Sequence, residues 1–303
     1  MRSLCVMAAT SHSSMGAHHL ESKGALHLPD LTLGFLGTGK ISSCMVRGYA
    51  GSTSAPRRII ISPRNEEKAL ALQAEFPDLV TIATSNEQVV SEADVIFVGL
   101  LPAVAREVLP VMPFSGQKLV VSMMAAVDLA EIRALCGDVP ADCIVRTVPL
   151  PSSARRQGPI LTHPKIAVFD SILGVVGTPV TVDTEAEMKP LICLTGHISS
   201  FFELMKTTEE FMVHQGVEPR TARTYVSSFY SSLAQGTETS HETLADMAVE
   251  ACTPGGINEQ CMRILKTTDH FPSQTNTLTA ILKRLQGLET YVPLSAAAKR
   301  EEK

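Results

Sequence analysis

The chain has no two cysteines at C-x-x-C spacing: its seven (Cys5, Cys44, Cys136, Cys143, Cys193, Cys252 and Cys261) are scattered and odd in number. That pattern supports neither a disulfide framework nor a zinc site and implies reduced, mostly core thiols in a reducing compartment. Long hydrophobic runs are missing too. The longest, Val95 to Ala105, contains Pro102 and falls well short of the roughly 18 residues that a membrane span requires. Basic residues show no excess: 26 Lys plus Arg against 31 Asp plus Glu give a net charge of -5 and a pI near 6.0. Coating of nucleic acid or of an anionic membrane surface, which concentrates Lys and Arg, is not expected. Paired carboxylates, a Ser-His-Asp arrangement and a metal-ligand cluster are all lacking, so hydrolytic and metal-assisted chemistry have no support. What remains is 303 residues, 45% hydrophobic and 19% charged, the balance of a soluble globular protein long enough for two domains.

The chain is organised around Leu31 to Met45, LTLGFLGTGKISSCM. Leu31, Leu33, Phe35 and Leu36 make a strand apolar enough for burial in a parallel sheet, and Gly37-Thr38-Gly39 follows without a linker. Gly37 would make a sharp turn, Gly39 would admit a pyrophosphate, and Ser42 takes the third small position, where helix and strand pack closely. Amides of the helix beginning at Lys40 and Ile41 would point at the phosphates, helped by the helix dipole. Together, Gly37, Thr38, Gly39, Lys40 and Ile41 are the candidate phosphate-binding segment.

Strands and helices then alternate. The pattern predicts strands at 31–37, 58–62, 79–82, 94–99, 118–123 and 143–148, and helices at 40–50, 64–75, 86–92, 103–109 and 128–135. Short strands are expected at 165–169 and 179–182. The reading is an α/β chain with an N-terminal Rossmann-like, doubly wound parallel sheet. Ligands of such sheets sit beyond the carboxyl ends of the strands, so loops 37–41, 62–65, 99–103, 122–126 and 148–158 should line one crevice. Leu101 and Pro102 in the third loop join the candidate cofactor contacts. After Asp183 helical periodicity takes over. Its clearest element opens at Pro219 and closes at Gly236, with Ala222, Tyr225, Val226, Phe229, Tyr230 and Leu233 on one stripe. So much apolar helix implies burial against a partner, hence a homodimer or a higher homo-oligomer. The expected organisation is a disordered extension at 1–28, a cofactor-binding domain at 29–184, an all-helical C-terminal dimerisation domain at 185–288, and a solvated tail at 289–303. Residues 1–28 hold one arginine and no acid before Glu21; they faintly resemble a transit peptide but lack its basic face. A cytoplasmic protein is expected.

The second strand, Arg58-Ile59-Ile60-Ile61, leads into Ser62-Pro63-Arg64-Asn65 with no carboxylate. An NAD-selective site places an acid there for the ribose 2′-hydroxyl; Ser62, Arg64 and Asn65 suit a 2′-phosphate instead. NADPH is the expected cofactor, with NADH still open. Downstream, Pro254-Gly255-Gly256 makes a second glycine-to-helix junction, with Ile257, Cys261, Ile264 and Leu265 at helical spacing. Its free amides can hold a carboxylate, or Thr253 and the glycines can simply cap the helix. His197, beside Gly196, can serve as a general acid or as a cap. Arg155 and Arg156, after the sixth strand, can meet an anion or water.

Five segments together resemble the pyrroline-5-carboxylate reductase family over residues 31 to 287. They are GFLGTGKIS; Ser62 to Asn65; VVSMMAAVDLAEI at 120–132; Arg146-Thr147-Val148-Pro149; and Thr253-Pro254-Gly255-Gly256. The resemblance implies NADPH-dependent reduction of a cyclic imino acid, 1-pyrroline-5-carboxylate to proline. It also implies substrate contacts at Thr253, Gly255, Gly256, Ile257 and Asn258, with Asn258 donating a hydrogen bond where the family uses a threonine. Departures cluster at the substrate end. The chain has Val148-Pro149-Leu150-Pro151-Ser152 where the family has Met-Pro-Asn-Thr-Pro, and Thr195-Gly196-His197-Ile198-Ser199 where it has Ser-Gly-Ser-Gly-Pro. Ile257-Asn258-Glu259-Gln260 replaces a threonine-bearing segment. These leave open a reductase of another small imine or keto acid, or a silent NADP-binding protein.

Overall fold

The structure is a computed structural model and describes residues 26–290. Most of the expected N-terminal extension and of the C-terminal tail lies outside the described residues. Leu28, at the near end of that extension, is buried in the sheet's core.

The first unit, which ends at Met188, is an eight-stranded sheet in the order β3-β2-β1-β4-β5-β6-β7-β8. Its strands are β1 (Thr32–Leu36), β2 (Arg58–Ile61), β3 (Val80–Ile82), β4 (Val95–Val98), β5 (Leu119–Ser122), β6 (Ile144–Val148), β7 (Pro159–His163) and β8 (Thr178–Thr181). Between them run α1 (Lys40–Ala50), α2 (Glu66–Glu75), α3 (Asn86–Glu92), α4 (Pro102–Val108), α5 (Leu129–Leu135) and α6 (Ala167–Leu173). Strands β1 to β6 are parallel. Helices cover both faces, so the central strands are buried throughout: every residue of β1 and β4 is buried. Side-chain caps start several helices, Ser85 for α3 and Asp128 for α5 among them.

Two expectations change beyond β6. No strand forms at 165–169; Pro164 ends β7, and Phe169, Ile172 and Leu173 are buried at the spacing of one face of α6. Strand β7 instead runs at 159–163 and antiparallel to β6, with Arg146 opposite His163 and Val148 opposite Leu161. The link between them, residues 149–158, has room only for the 3-10 turn Pro151–Arg155, whereas a parallel neighbour needs a crossover of a dozen or more residues.

Helix α7 (Glu185–Cys193) carries the chain across the division after Met188. The second unit is helical: a 3-10 turn (Leu194–His197), then α8 (Ile198–His214), α9 (Pro219–Thr239), α10 (Leu244–Glu250), α11 (Ile257–Thr267) and α12 (His270–Leu285). Helix α9 opens with Pro219 as expected but runs through Gly236. Its stripe divides: Ala222 and Val226 are buried, and Tyr230 packs edge-on against Phe201 of α8, whereas Tyr225, Phe229 and Leu233 are 61, 48 and 55% exposed. Among the described residues of α8 to α12, only Ala222 and Val226 are buried.

Candidate cofactor crevice and substrate-end junction

Backbone geometry at the end of β1 requires glycine. Gly37 has φ +92°, and a Cβ there would lie 2.6 Å from the Gly99 carbonyl oxygen at the end of β4. The Gly37 N–H donates to the Ser62 hydroxyl at 2.8 Å, which ties the turn to the end of β2. Gly99 is itself hemmed in, since a Cβ would meet Ser42 Oγ at 2.5 Å. Ser42 thus fills the close helix-to-strand contact expected of it.

Gly39 is the opposite case. A Cβ built there meets nothing within 4 Å, and no side chain caps α1. The first helical bond is Ser43 N–H to the Gly39 carbonyl at 2.9 Å, so the Lys40, Ile41 and Ser42 amides precede the ladder. The first turn of α1 carries no acid. Thr38 is 3% exposed, and its hydroxyl has no hydrogen-bond partner among the described residues. An open space, free amides at a positive helix end and a buried orphan hydroxyl fit a dinucleotide pyrophosphate.

At the end of β2, Ser62 is buried and its oxygen already accepts Gly37, leaving the proton to donate. Asn65 caps α2, its Oδ1 accepting the Lys68 amide at 3.3 Å, so only its NH₂ group is free for a ligand. Arg64 is exposed, with no hydrogen bond or ion pair among the described residues. Leu101 is 73% exposed and precedes Pro102, the first residue of α4. All these residues stand at the carboxyl edge of the sheet. Arg156 does not. The 3-10 turn after β6 folds against the far half of α1: a Cβ at Gly48 would lie 2.2 Å from the Ser153 carbonyl, and one at Gly51 would meet Arg156 Nη1 at 2.9 Å. An 11-residue helix spans about 16 Å, so Arg156 sits beside the end of α1 opposite the glycine turn, and this part of the 148–158 loop does not line the crevice as expected.

The second unit holds the other candidates. Gly255 adopts φ +76°, and its amide donates to Oε2 of Glu259 at 2.7 Å. The chain's own carboxylate therefore occupies one of the amides expected to hold a substrate's. Gly256 is the N-cap of α11 without a side-chain cap bond, and its amide donates to the Thr253 carbonyl at 2.9 Å. Asn258 uses Nδ2 on the Ala251 carbonyl at 3.1 Å, tying the end of α10 to α11. Thr253 and Ile257 are exposed. A cleft of about 310 Å³ opens here, lined by Gly255, Gly256, Ile257, Glu259, Gln260 and Arg263. His197 is the last residue of the 3-10 turn before α8; its side chain makes no cap bond, and Nε2 is buried without a partner among the described residues. No hydrogen bond joins it to the 253–258 junction.

Residues 32–126 match the family model of NADP oxidoreductases described as coenzyme F420-dependent, and residues 185–288 match that of pyrroline-5-carboxylate reductase dimerisation. These two matches, with the relatives that follow, support membership of the pyrroline-5-carboxylate reductase family. The reductase of Haemophilus influenzae is 25% identical over 272 residues, covering 85% of this chain and 97% of its own. That of Corynebacterium melassecola is 24% identical, covering 78% and 90%. Solved reductases share the fold: the enzyme of Coxiella burnetii has a TM-score of 0.71 at 20% identity over 87% of this chain and all of its own. The Plasmodium falciparum enzyme, solved with NADP bound, gives 0.71 at 16% identity over the same shares.

Two features went unread in the sequence. Glu259 could have been found as an acid in the first turn of a glycine-capped helix. The other, an ion pair of buried Arg146 with half-buried Glu185, joins residues too far apart in sequence to signal each other.

Proposed function

We propose that the protein reduces a cyclic imino acid with NADPH, most directly 1-pyrroline-5-carboxylate to L-proline. The observation that carries this reading is the open glycine turn beside a β2 end without a carboxylate, in a chain that spans 97% of a curated pyrroline-5-carboxylate reductase. Bound NADPH supplies a hydride to the carbon of the C=N bond. Gly37, Thr38, Gly39, Lys40 and Ile41 hold the pyrophosphate, while Ser62, Arg64 and the Asn65 NH₂ group read the 2′-phosphate. Leu101 and Pro102 flank the cofactor beyond β4. At the substrate end, the Ile257 and Asn258 amides, with the Thr253 and Asn258 side chains, receive the carboxylate, and Glu259 must leave the Gly255 amide to complete that cradle, Gly256 keeping its own bond to the Thr253 carbonyl. His197 is our candidate proton donor to the imine nitrogen, its unpartnered Nε2 being the supporting feature.

A second reading has specific support. With Glu259 on the Gly255 amide, a small imine lacking a carboxylate meets no like charge, so 1-pyrroline is the natural comparison substrate. NADPH oxidation measured with each imine, beside NADPH binding without either, tests both readings. Faster turnover of pyrroline-5-carboxylate supports the first and faster turnover of 1-pyrroline the second. Binding without turnover of any imine or keto acid overturns both in favour of a silent NADP-binding protein.

The helical unit carries the family's dimerisation domain, and we assign it a homodimer or higher homo-oligomer. No helix among the described residues is long and apolar enough to cross a membrane. The six described cysteines are free thiols, which supports a reducing compartment, the cytoplasm.

A further inference from the structure

One charged side chain in the sheet unit is buried where the proposed cofactor site does not use it. Arg146, on β6 beside Ser122 of β5, is 5% exposed. Its Nη1 meets Glu185 Oε1 at 2.5 Å and the Met188 sulfur at 3.8 Å, both on α7. Nη2 donates to the Ala125 carbonyl at 2.6 Å. Glu185 Oε1 accepts a second bond, from the amide of Leu129 at the start of α5, at 2.9 Å. One guanidinium and one carboxylate thus fasten the connection that follows β5 within its course, at Ala125, and at its far end, at Leu129.

That connection stands at the carboxyl edge, next to the glycine turn. Met123 Cε is 3.2 Å from the position of a Cβ on Gly99, and the Gly99 carbonyl is 2.6 Å from that of a Cβ on Gly37. Ala125 and Ala126 are exposed. Stability alone is a poor reason to bury the arginine of such a pair, because apolar residues of similar volume often serve as well. A planar fork that sends one amino group to a carboxylate and the other to a carbonyl does something they cannot: it sets a loop's position.

We infer that Arg146 is a positioning residue for the cofactor crevice, holding the loop 123–127 through the Ala125 carbonyl so that the reacting end of the nucleotide is placed for turnover. The inference rests on the proposed reductase reading. Arg146 bonds to Glu185, Met188 and Ala125 and to none of residues 37–41 or 62–65, so its effect is expected in kcat and not in NADPH affinity.

Two variants test it. Arg146→Lys keeps the cation but lacks the fork; the pair Arg146→Met/Glu185→Met fills the space without charge. Hydrogen exchange of the 123–127 amides in the NADPH complex should speed up in both by at least about tenfold, with the 37–43 amides unchanged. Turnover of whichever imine the unaltered protein reduces should fall by about tenfold or more, and the Kd for NADPH should stay within about twofold. A purely structural role predicts instead that the Met pair, if as heat-stable as the parent, turns over normally, and that result overturns the inference. Unchanged exchange at 123–127, or an NADPH affinity lost in step with turnover, overturns it equally. If no imine is reduced by the unaltered protein, the reductase reading fails by itself. The exchange data and the emission of bound NADPH, dimmed in both variants if Arg146 places the nicotinamide, then decide the inference.

Discussion

Ser62 shows how much one oxygen can be asked to do at the mouth of the proposed nucleotide site. It accepts the Gly37 amide and has a proton left for a phosphate, whereas Arg64 has no partner to give up. Their variants should differ. Arg64→Ala should weaken NADPH by roughly 1.5–3 kcal/mol, the range of one charge-assisted bond, and leave NADH nearly unchanged. Ser62→Ala should weaken both cofactors, because it leaves a backbone amide unpaired in the turn that either must approach. Calorimetric titration of each variant with each nucleotide separates the roles; equal losses in Arg64→Ala would remove it from the phosphate site. Two buried thiols give a prediction about alkali. Desolvation pushes Cys136 up to about 12 and Cys143 up to about 11, from 9.0. Above pH 9 the unfolded chain loses these protons while the folded one keeps them, so stability is intact below pH 9 and declines beyond it. The slope should be roughly 1.4 kcal/mol per pH unit per thiol, levelling near 11 for Cys143 and near 12 for Cys136. Urea titrations across pH 8 to 11, compared with Cys136→Ala, would reveal it.

Among the elements, α11 matters most for substrate choice on the proposed reading. Its N-terminus already holds the Glu259 carboxylate on the Gly255 amide. Glu259→Ala should lower the Michaelis constant for pyrroline-5-carboxylate by on the order of tenfold and leave 1-pyrroline unaffected. Equal effects on both imines would show that Glu259 does not compete with a substrate carboxylate. Strand-helix alternation and the glycine turn were legible in the sequence because their causes are local: an apolar run, two glycines, and Ser42 three residues on. The departure at β7 was not, since whether residues 159–163 or 165–169 pair with β6 depends on which backbone can reach it. Arg146 was visible only as part of a motif. Its partners lie 21 and 39 residues away, and no periodicity announces such a contact. Arg156 was misplaced for the same reason, its neighbour being the end of α1.

Taken whole, the chain buries its two parts very unequally. The sheet unit has a continuous core from Leu28 to Val176, whereas α8 to α12 bury only Ala222 and Val226 among their described residues. Exposed Tyr225, Phe229 and Leu233 follow one line along α9, a patch that a soluble chain normally covers with a partner. Tyr225→Glu with Phe229→Glu should therefore leave a monomer at micromolar concentration, read by light scattering. A parent protein that is itself monomeric there would refute the assignment. The same imbalance bears on how the protein comes into being. As the chain leaves the ribosome, the sheet can close with what has already been made, but the helices that follow have almost nothing of their own to close upon. On the proposed assembly they gain much of their burial from a second copy, so the midpoint of thermal unfolding should climb with protein concentration, and supply of the finished enzyme should rise more steeply than supply of its chains.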